Sequence, residues 1–537
     1  MVTKIHRSPG LSPYQAHPRI AAHFISSSIR VIAAVPRRIL RGLKPLSVWA
    51  LTLLISGCIG TGGIAPQDTS LSPDSLATDE AIKEAAKDAH WPDGQWWRAY
   101  GDDQLNHWIE LAALGSPSLA MAAARVRQAK AMAGIAESAE SLHINGDSTL
   151  KRHNWPTDQF YGPGELSNTS TWDNNASIGL SYSLDLWGRE SNNTEQALDL
   201  AHMSAAQKRQ AQLELQDNIV RAYIQLSLNY AQRDIVEATL TQQQQILELA
   251  QRRLKGGIGT HFEVSQAETP LPETHRQIDS LDEAIALSRN QIAALAGKGP
   301  GEGASIQRPG LSLNAALKLP SALPAQLLGQ RPDVVASRWR VAAQARGIDV
   351  AHAGFYPNVD LMGSLGYMAT GGGMLEFLTG KKFNYSVGPA ISLPIFDGGR
   401  LRSELGVASA GYDAAVAQYN ETLVIALKSI SDQLIRRESM NKQQVFADQS
   451  VAAAQKTYDI AMVAYKRGLT DYLNVLNAQT LLFHQEQVQQ QVQAARLTVH
   501  AELVVALGGG LMAGNDSPAP EKTAAPKTPA LLNALGR

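Results

Sequence analysis

The 537 residues carry 48 Lys and Arg against 49 Asp and Glu, a formal net charge of −1, and 44% of them are hydrophobic. That balance excludes a general nucleic-acid binder, which needs a basic excess, and the single Cys excludes an internal disulfide framework, a Cys-rich zinc site and a CxxC redox pair. No run of about 18 apolar residues occurs, so a mature helical membrane span is not expected.

Residues 1–57 read as an N-terminal extension followed by an export signal. Arg37, Arg38, Arg41 and Lys44 precede an apolar run from Leu46 to Ile55, broken only by Ser47 and Thr52, and Ile55-Ser56-Gly57-Cys58 follows. A basic segment, a short apolar segment and small residues make a secretory signal. Cys58 sits where bacterial lipoproteins are cleaved and acylated. It is therefore expected to carry N-palmitoyl and S-diacylglycerol lipid, with no other cofactor and no metal. Ile59, rather than Asp, comes next, which favours the outer membrane over inner-membrane retention. Residues 58–94 are rich in Ser, Thr, Asp and Gly and read as a lipidated tether.

Residues 95–299 and 331–510 look like two copies of one unit, joined by a linker at 300–330 and followed by a Pro-rich tail at 511–537 expected to be disordered. Gly188-Arg189 recurs as Gly399-Arg400, Gly257 as Gly468 and Gly297 as Gly508, all at one offset. Val264, Ala267 and Thr269 recur as Val475, Ala478 and Thr480 at that same offset. Upstream, Arg125, Ala129 and Gly134-Ile135 recur as Arg338, Ala342 and Gly347-Ile348.

Within each copy, period-two alternation gives way to a long helical stretch. Ala176, Ile178, Leu180, Tyr182, Leu184 and Leu186 alternate with small or polar residues, as do Phe383, Tyr385, Val387, Pro389, Ile391 and Leu393. Val359, Leu361, Leu365 and Tyr367 suggest a third strand. A fourth, near 144–154, is poorly patterned but required by the repeat. Gly/Thr/Asn-rich loops at 156–171 and 369–382 join each pair. Residues 189–255 then contain neither Gly nor Pro, which allows one helix of about 100 Å at ~1.5 Å per residue. Residues 400–467 repeat the pattern without Pro. Spacings of three then four, Ile219-Tyr223-Leu226-Tyr230 and Leu423-Leu427-Ile430-Leu434, are those of coiled coils. Return helices are expected near 260–296 and 469–507. Each copy is thus a helical hairpin with its tip at Gly257 or Gly468, and Pro270 and Pro272 should kink or open the first return helix.

Strands with one apolar face cross a bilayer only as a closed barrel, and four strands cannot close one. The chain must share a barrel with copies of itself: two would give eight strands, three twelve. A soluble sheet with one buried face is the rival reading.

Here the residues carry a family resemblance. Leu327-Leu328-Gly329-Gln330-Arg331-Pro332-Asp333-Val334, the stretch Gly347 to Pro357, Ser392-Leu393-Pro394-Ile395-Phe396-Asp397-Gly398-Gly399-Arg400, and Gly468 to Gln479 together resemble TolC-like outer-membrane factors, in the lipoprotein branch that serves tripartite efflux pumps. The resemblance implies a mixed membrane protein. It would be a homotrimer with a 12-stranded β-barrel, four strands per chain, continued by a 12-helix periplasmic α-barrel with a mixed equatorial belt. It implies no catalysis, but a passive exit duct in the cell outer membrane, fed by an inner-membrane efflux pump through a periplasmic adaptor protein. Adaptor contacts would fall at Gly257, Thr260, Gly468, Leu469, Thr470 and Asp471. Relatives carry lumen-facing carboxylates six or nine residues after the second-tip Gly. Here those positions are Asn474 and Asn477, which implies weaker cation block. Tyr465 or Lys466 would latch to Glu263 to close the aperture. Arg338 departs from the Glu frequent in relatives.

Rival functions are a type I protein-secretion duct and a trimeric structural lipoprotein without a pore. An enzyme is not expected: Gly371-Gly372-Gly373 lacks the Gly-Lys-Ser/Thr of a phosphate loop, and HExxH and GxSxG are absent. His143, His352 and His484 read as surface or interface residues.

Overall fold

The computed structural model describes residues 60–72, 75–76, 94–156, 168–312 and 331–510. The chain divides after Gly60, and everything described below lies in the second unit, Thr61–Arg537. Cys58, most of the first loop, residues 313–330 of the linker and the 511–537 tail lie outside the described residues.

Four strands form one antiparallel meander in the order β1 (His143–Asn154), β2 (Ser170–Ser183), β3 (Asn358–Thr370), β4 (Phe383–Ser392). The poorly patterned 144–154 segment is a strand, and β2 starts six residues before the expected 176. The register sorts side chains onto two faces, because directly paired residues share a face. Ile144 pairs with Leu180, Ile178 with Leu365, and Leu365 with Tyr385, so one face is mostly apolar. Asp147 pairs with Ser177, Ser181 with Met362, and Ser364 with Ser386, so the other is mostly polar. The Ser364 and Ser386 hydroxyls are hydrogen-bonded across it at 2.9 Å.

The helices of eight or more residues are α1 (Asp103–Gly115), α2 (Pro117–Ser138), α3 (Arg189–Lys255), α4 (His261–Glu268), α5 (Leu271–Leu295), α6 (Pro332–Ala353), α7 (Arg400–Lys466) and α8 (Tyr472–Ala506). Both long helices, α3 and α7, have 67 residues. Each starts at a glycine in left-handed conformation, Gly188 (φ 73°) and Gly399 (φ 93°), which turns the chain out of the sheet where a Cβ would be strained. A carboxylate then caps the free N–H groups: Asp185 accepts from Glu190 N and Ser191 N, and Asp397 from Gly399 N and Leu401 N. Those bonds hold the Asp397 carboxyl below the usual range.

The first return helix is interrupted at Thr269-Pro270, as expected, but it does not open. Thr269 and Pro270 keep right-handed helical angles, and Thr274 N bonds Pro270 O at 3.0 Å. The prolines cost ladder bonds and leave the direction of the chain helical. The α8 return is continuous over 35 residues.

The main core was not expected from periodicity. Trp96, Trp97, Tyr100, Leu105, Trp108 and Ile109 pack against Ile219, Tyr223 and Leu226 of α3, Ile292 of α5, and Ala501 and Val504 of α8. Polar groups stitch it. Asp102 caps α1 through Gln104 N and Leu105 N, and accepts from the Tyr223 hydroxyl (3.0 Å) and Gly310 N (2.7 Å). The described part of the linker joins there too, through Gln307 N to Gln104 and Ser312 N to Tyr100 O. The Arg-Pro-Asp segment acts as a tie: Arg331 chelates Asp333 in the first turn of α6 and donates to Ala506 O at the end of α8. Arg338 lies near Tyr419, where its charge partly offsets the upward push of burial on that phenol.

The segment following Gly60 is not loose. Gln67 N and Asp68 N both donate to Asp413, Leu71 N donates to Asn420 Oδ1, and Asn420 Nδ2 returns a bond to Thr69 O. Residues 67–71 are thereby strapped along α7.

Candidate functional site: the hairpin tips

At the first tip, α3 ends at Lys255 and Gly257 takes φ 73°. Ile258 N and Gly259 N both bond back to Arg253 O, a carbonyl the helix end leaves open. Thr260 then starts α4 in a reciprocal cap: its hydroxyl accepts from Glu263 N, and the Glu263 carboxylate accepts from Thr260 N. At the second tip, Gly468 takes φ 74°, Leu469 N bonds Ala464 O, and Asp471 caps α8 through Asn474 N. Both glycines are therefore required by the turn. A Cβ on either would meet nothing within 4 Å, so space above the tips is also open. Around them stand apolar side chains in water, with Ile258 72%, Leu469 75% and Phe262 69% exposed and Leu473 about half exposed. Exposed apolar side chains are thus gathered at both turns.

The tips meet through a cluster that sequence reading saw only in part. Tyr465, at the end of α7, is fully buried. The Arg253 guanidinium lies 4.9 Å from its ring centre, and Nη1 donates to its carbonyl at 3.3 Å. Tyr472 lies 6.1 Å away, centroid to centroid, and Ile246, Ala250, Ala267, Tyr458 and Val475 close the cluster. Neither tyrosine hydroxyl finds a hydrogen-bond partner among the described residues. Burial raises the Tyr465 phenol, with the Glu263 charge adding and Arg253 opposing. Burial, then the neighbouring tyrosines, pushes Tyr472 up to about 12.

Tyr465 thus joins the hairpins near their tips, with Arg253 as its partner. Glu263 is near enough to be felt electrostatically, but its carboxylate is engaged in the Thr260 cap. Lys466 is exposed, and no Lys466–Glu263 ion pair occurs among the described residues. Asn474 and Asn477 are exposed. The Asn474 amide donates to Thr470 Oγ1 and Asp471 Oδ1, so the cap holds it. Arg253 could have been suspected only as a basic residue in the last turn of α3.

Among the described residues no group of His, Cys, Asp and Glu could hold a metal ion, and no helix is long and apolar enough to cross a membrane. The profile of the family described as "Outer membrane efflux protein" matches residues 108–298 and 323–509. The fusaric acid resistance protein FusA of Burkholderia cepacia is 52% identical over 371 residues, 69% of this chain and 70% of that one. The multidrug resistance outer membrane protein MdtP of Escherichia coli K12 is 27% identical over 87% of this chain and 96% of its own. Among solved structures, the outer membrane protein VceC of Vibrio cholerae superposes with a TM-score of 0.73 at 33% identity, over 78% of this chain and all of its own. The outer-membrane channel OprN gives 0.75 at 27% identity, over 83% and 99%.

Proposed function

Because the chain belongs to the outer membrane efflux protein family, we propose that three copies close one 12-stranded barrel in the outer membrane, continued by a tube of twelve helices into the periplasm. The observation that carries this is the sheet. It has an apolar face and a polar face, and β1 and β4 are each paired on one side only. In lipid those edge groups must find partners, and a second β1 or β4 is the partner of matching length. From Trp172 to Ser183, a tilted strand rises roughly 25–30 Å, the height of an apolar membrane band. At the far end, Trp187 stacks on Tyr356 at 4.7 Å, which is where an aromatic girdle belongs. Two corresponding halves per chain, each a strand pair and a hairpin, build the ring.

The duct passes small toxic solutes from an inner-membrane pump through an adaptor seated on the tips, around Ile258, Phe262, Leu469 and Leu473. Cys58 carries the lipid anchor. Fusaric acid, for which a 52% identical relative is named, is the solute to assay first. Purified protein should run as a trimer by native mass spectrometry and give steady conductance in a planar bilayer. A lone subunit without conductance would reject the reading.

The tip cluster is the closing clasp. Arg253→Ala removes a desolvated cation–π contact and a charged hydrogen bond, about 1–2 kcal/mol together, so open probability should rise about five- to thirtyfold. Arg253→Lys should rescue only part, because an ammonium lacks the planar fork. Asn474 and Asn477 set the ionic character of the aperture. Converting both to Asp should place six carboxylates at the trimer mouth and raise sensitivity to divalent block by about tenfold or more, and the block should fade below about pH 4. Conductance titration with a divalent cation measures both.

A further inference from the structure

The loop between β3 and β4 does not project away from the sheet. Gly371 and Gly372 take φ 109° and 75°, and the chain folds back. Gly371 N bonds Trp172 O, and the Asn174 amide donates to Met374 O at 2.7 Å. Asn174 pairs with Leu150 and Ala369, which the register places on the apolar face. Asn174, Ala369 and Phe377 are buried, and the turn bearing Phe377 packs against β3. The loop therefore lies on the lipid side of the sheet, at the end away from the helices.

Two features of the folded-back loop fit a lipid surface rather than water. Met374, Leu375 and Leu378 stand exposed, Leu375 at 62%. Cations stand at both edges of the sheet at this end. Arg152 pairs with Trp172 on the same apolar face and lies over its ring at 5.7 Å. Lys381 and Lys382 end the loop, immediately before β4. Among the described residues none of the three is in an ion pair; the loop's own acid, Glu376, is exposed and its carboxylate accepts from Gly373 N. Long basic side chains beside apolar ones, at the rim of an apolar band, place their charges at headgroup height.

Resting on the outer-membrane reading above, we propose that this loop and Arg152 form a docking surface for a phosphorylated, multiply acylated glycolipid of the outer leaflet. Met374, Leu375 and Leu378 enter the acyl chains, while Arg152, Lys381 and Lys382 meet the phosphates. Closing the barrel brings the β4 edge of one copy beside the β1 edge of the next, so Lys381 and Lys382 of one protomer would share a phosphate with Arg152 of its neighbour.

The test uses the full chain in detergent, titrated with hexa-acylated diphosphoryl lipid A, the same lipid with its phosphates removed, and phosphatidylglycerol. The diphosphoryl form should bind at least about tenfold more tightly than either other lipid, and R152Q/K381Q/K382Q should lose at least about tenfold of that affinity. L375S/L378S should weaken all three lipids alike. Equal binding of the phosphorylated and phosphate-free lipids, or an undiminished triple variant, overturns the proposal; phosphatidylglycerol binding as tightly overturns the choice of glycolipid. Bilayer conductance is read on the same preparations. The triple variant should conduct as the wild type does, so loss of the lipid site and failure of the duct reading are separate results.

Discussion

Replacing Asp102 by Ala should destabilise the chain by about 3–5 kcal/mol, read as a shift in the urea midpoint in detergent. One carboxylate serves four donors. Two are the open N–H groups of α1, and capping there is worth about 1 kcal/mol. The other two, the Tyr223 hydroxyl and Gly310 N, come from elements far away in sequence. Tyr223 is completely buried, so water cannot replace the lost acceptor, and each orphaned donor costs about 1–3 kcal/mol. Burial, above all, raises that phenol, which keeps it protonated and donating. Asp102→Asn, which retains an acceptor, should lose less than half as much. Adding Tyr223→Phe to Asp102→Ala should recover about 1 kcal/mol by deleting the orphan. If the double variant is less stable than the single by the full cost of Tyr223→Phe alone, the two residues are uncoupled and the account fails.

The second large effect is in pH. His500 is buried on α8, edge-on to Tyr100 with ring centres 5.4 Å apart. Tyr100 gives its proton to Leu497 O at 2.8 Å, so its oxygen is left to accept from His500 Nδ1–H at 3.2 Å. Burial first, then the Arg437 charge, lowers the imidazole to about 4. A folded value below the unfolded one, 6.5, means the unfolded chain binds the proton more readily. The contribution is fully present above pH 6.5 and lost as pH falls toward 4. The total is about 3 kcal/mol at 1.36 kcal/mol per unit.

Two acids work in the opposite sense. Burial raises Asp199 and Asp217 to about 6, so acidification relieves a penalty they impose at neutral pH. Comparing the wild type with His500→Asn removes these shared contributions. The wild type should lose about 2–3 kcal/mol more than the variant between pH 7.5 and 4.5. Parallel curves would show that the ring is not neutral and buried as described.

Local pattern located three of the four strands and the long helices, and the repeat supplied the fourth strand, β1. Alternation from Ala176 and Phe383 gave two strands, and the Gly- and Pro-free stretches gave α3 and α7 with their ends, because those features depend on neighbours within a turn or a pleat. The turn glycines were legible for the same reason: Gly257 and Gly468 are required by φ, whatever else approaches them. Asn474 and Asn477 were found at the second tip by position, but the engagement of Asn474 in the Asp471 cap was not. What stayed hidden depends on residues far apart in the chain. The Trp96–Ile109 core, Asp102 with Tyr223 and Gly310, Arg253 under Tyr465, Asp413 holding the segment after Gly60, and the loop folded onto Asn174 each join positions more than a hundred residues apart. A carboxylate, a guanidinium or an amide has the same local pattern whether it is solvated or clasped. Only the packed chain decides which donor it meets, because the energy of that meeting comes from excluding water at a place no single segment defines.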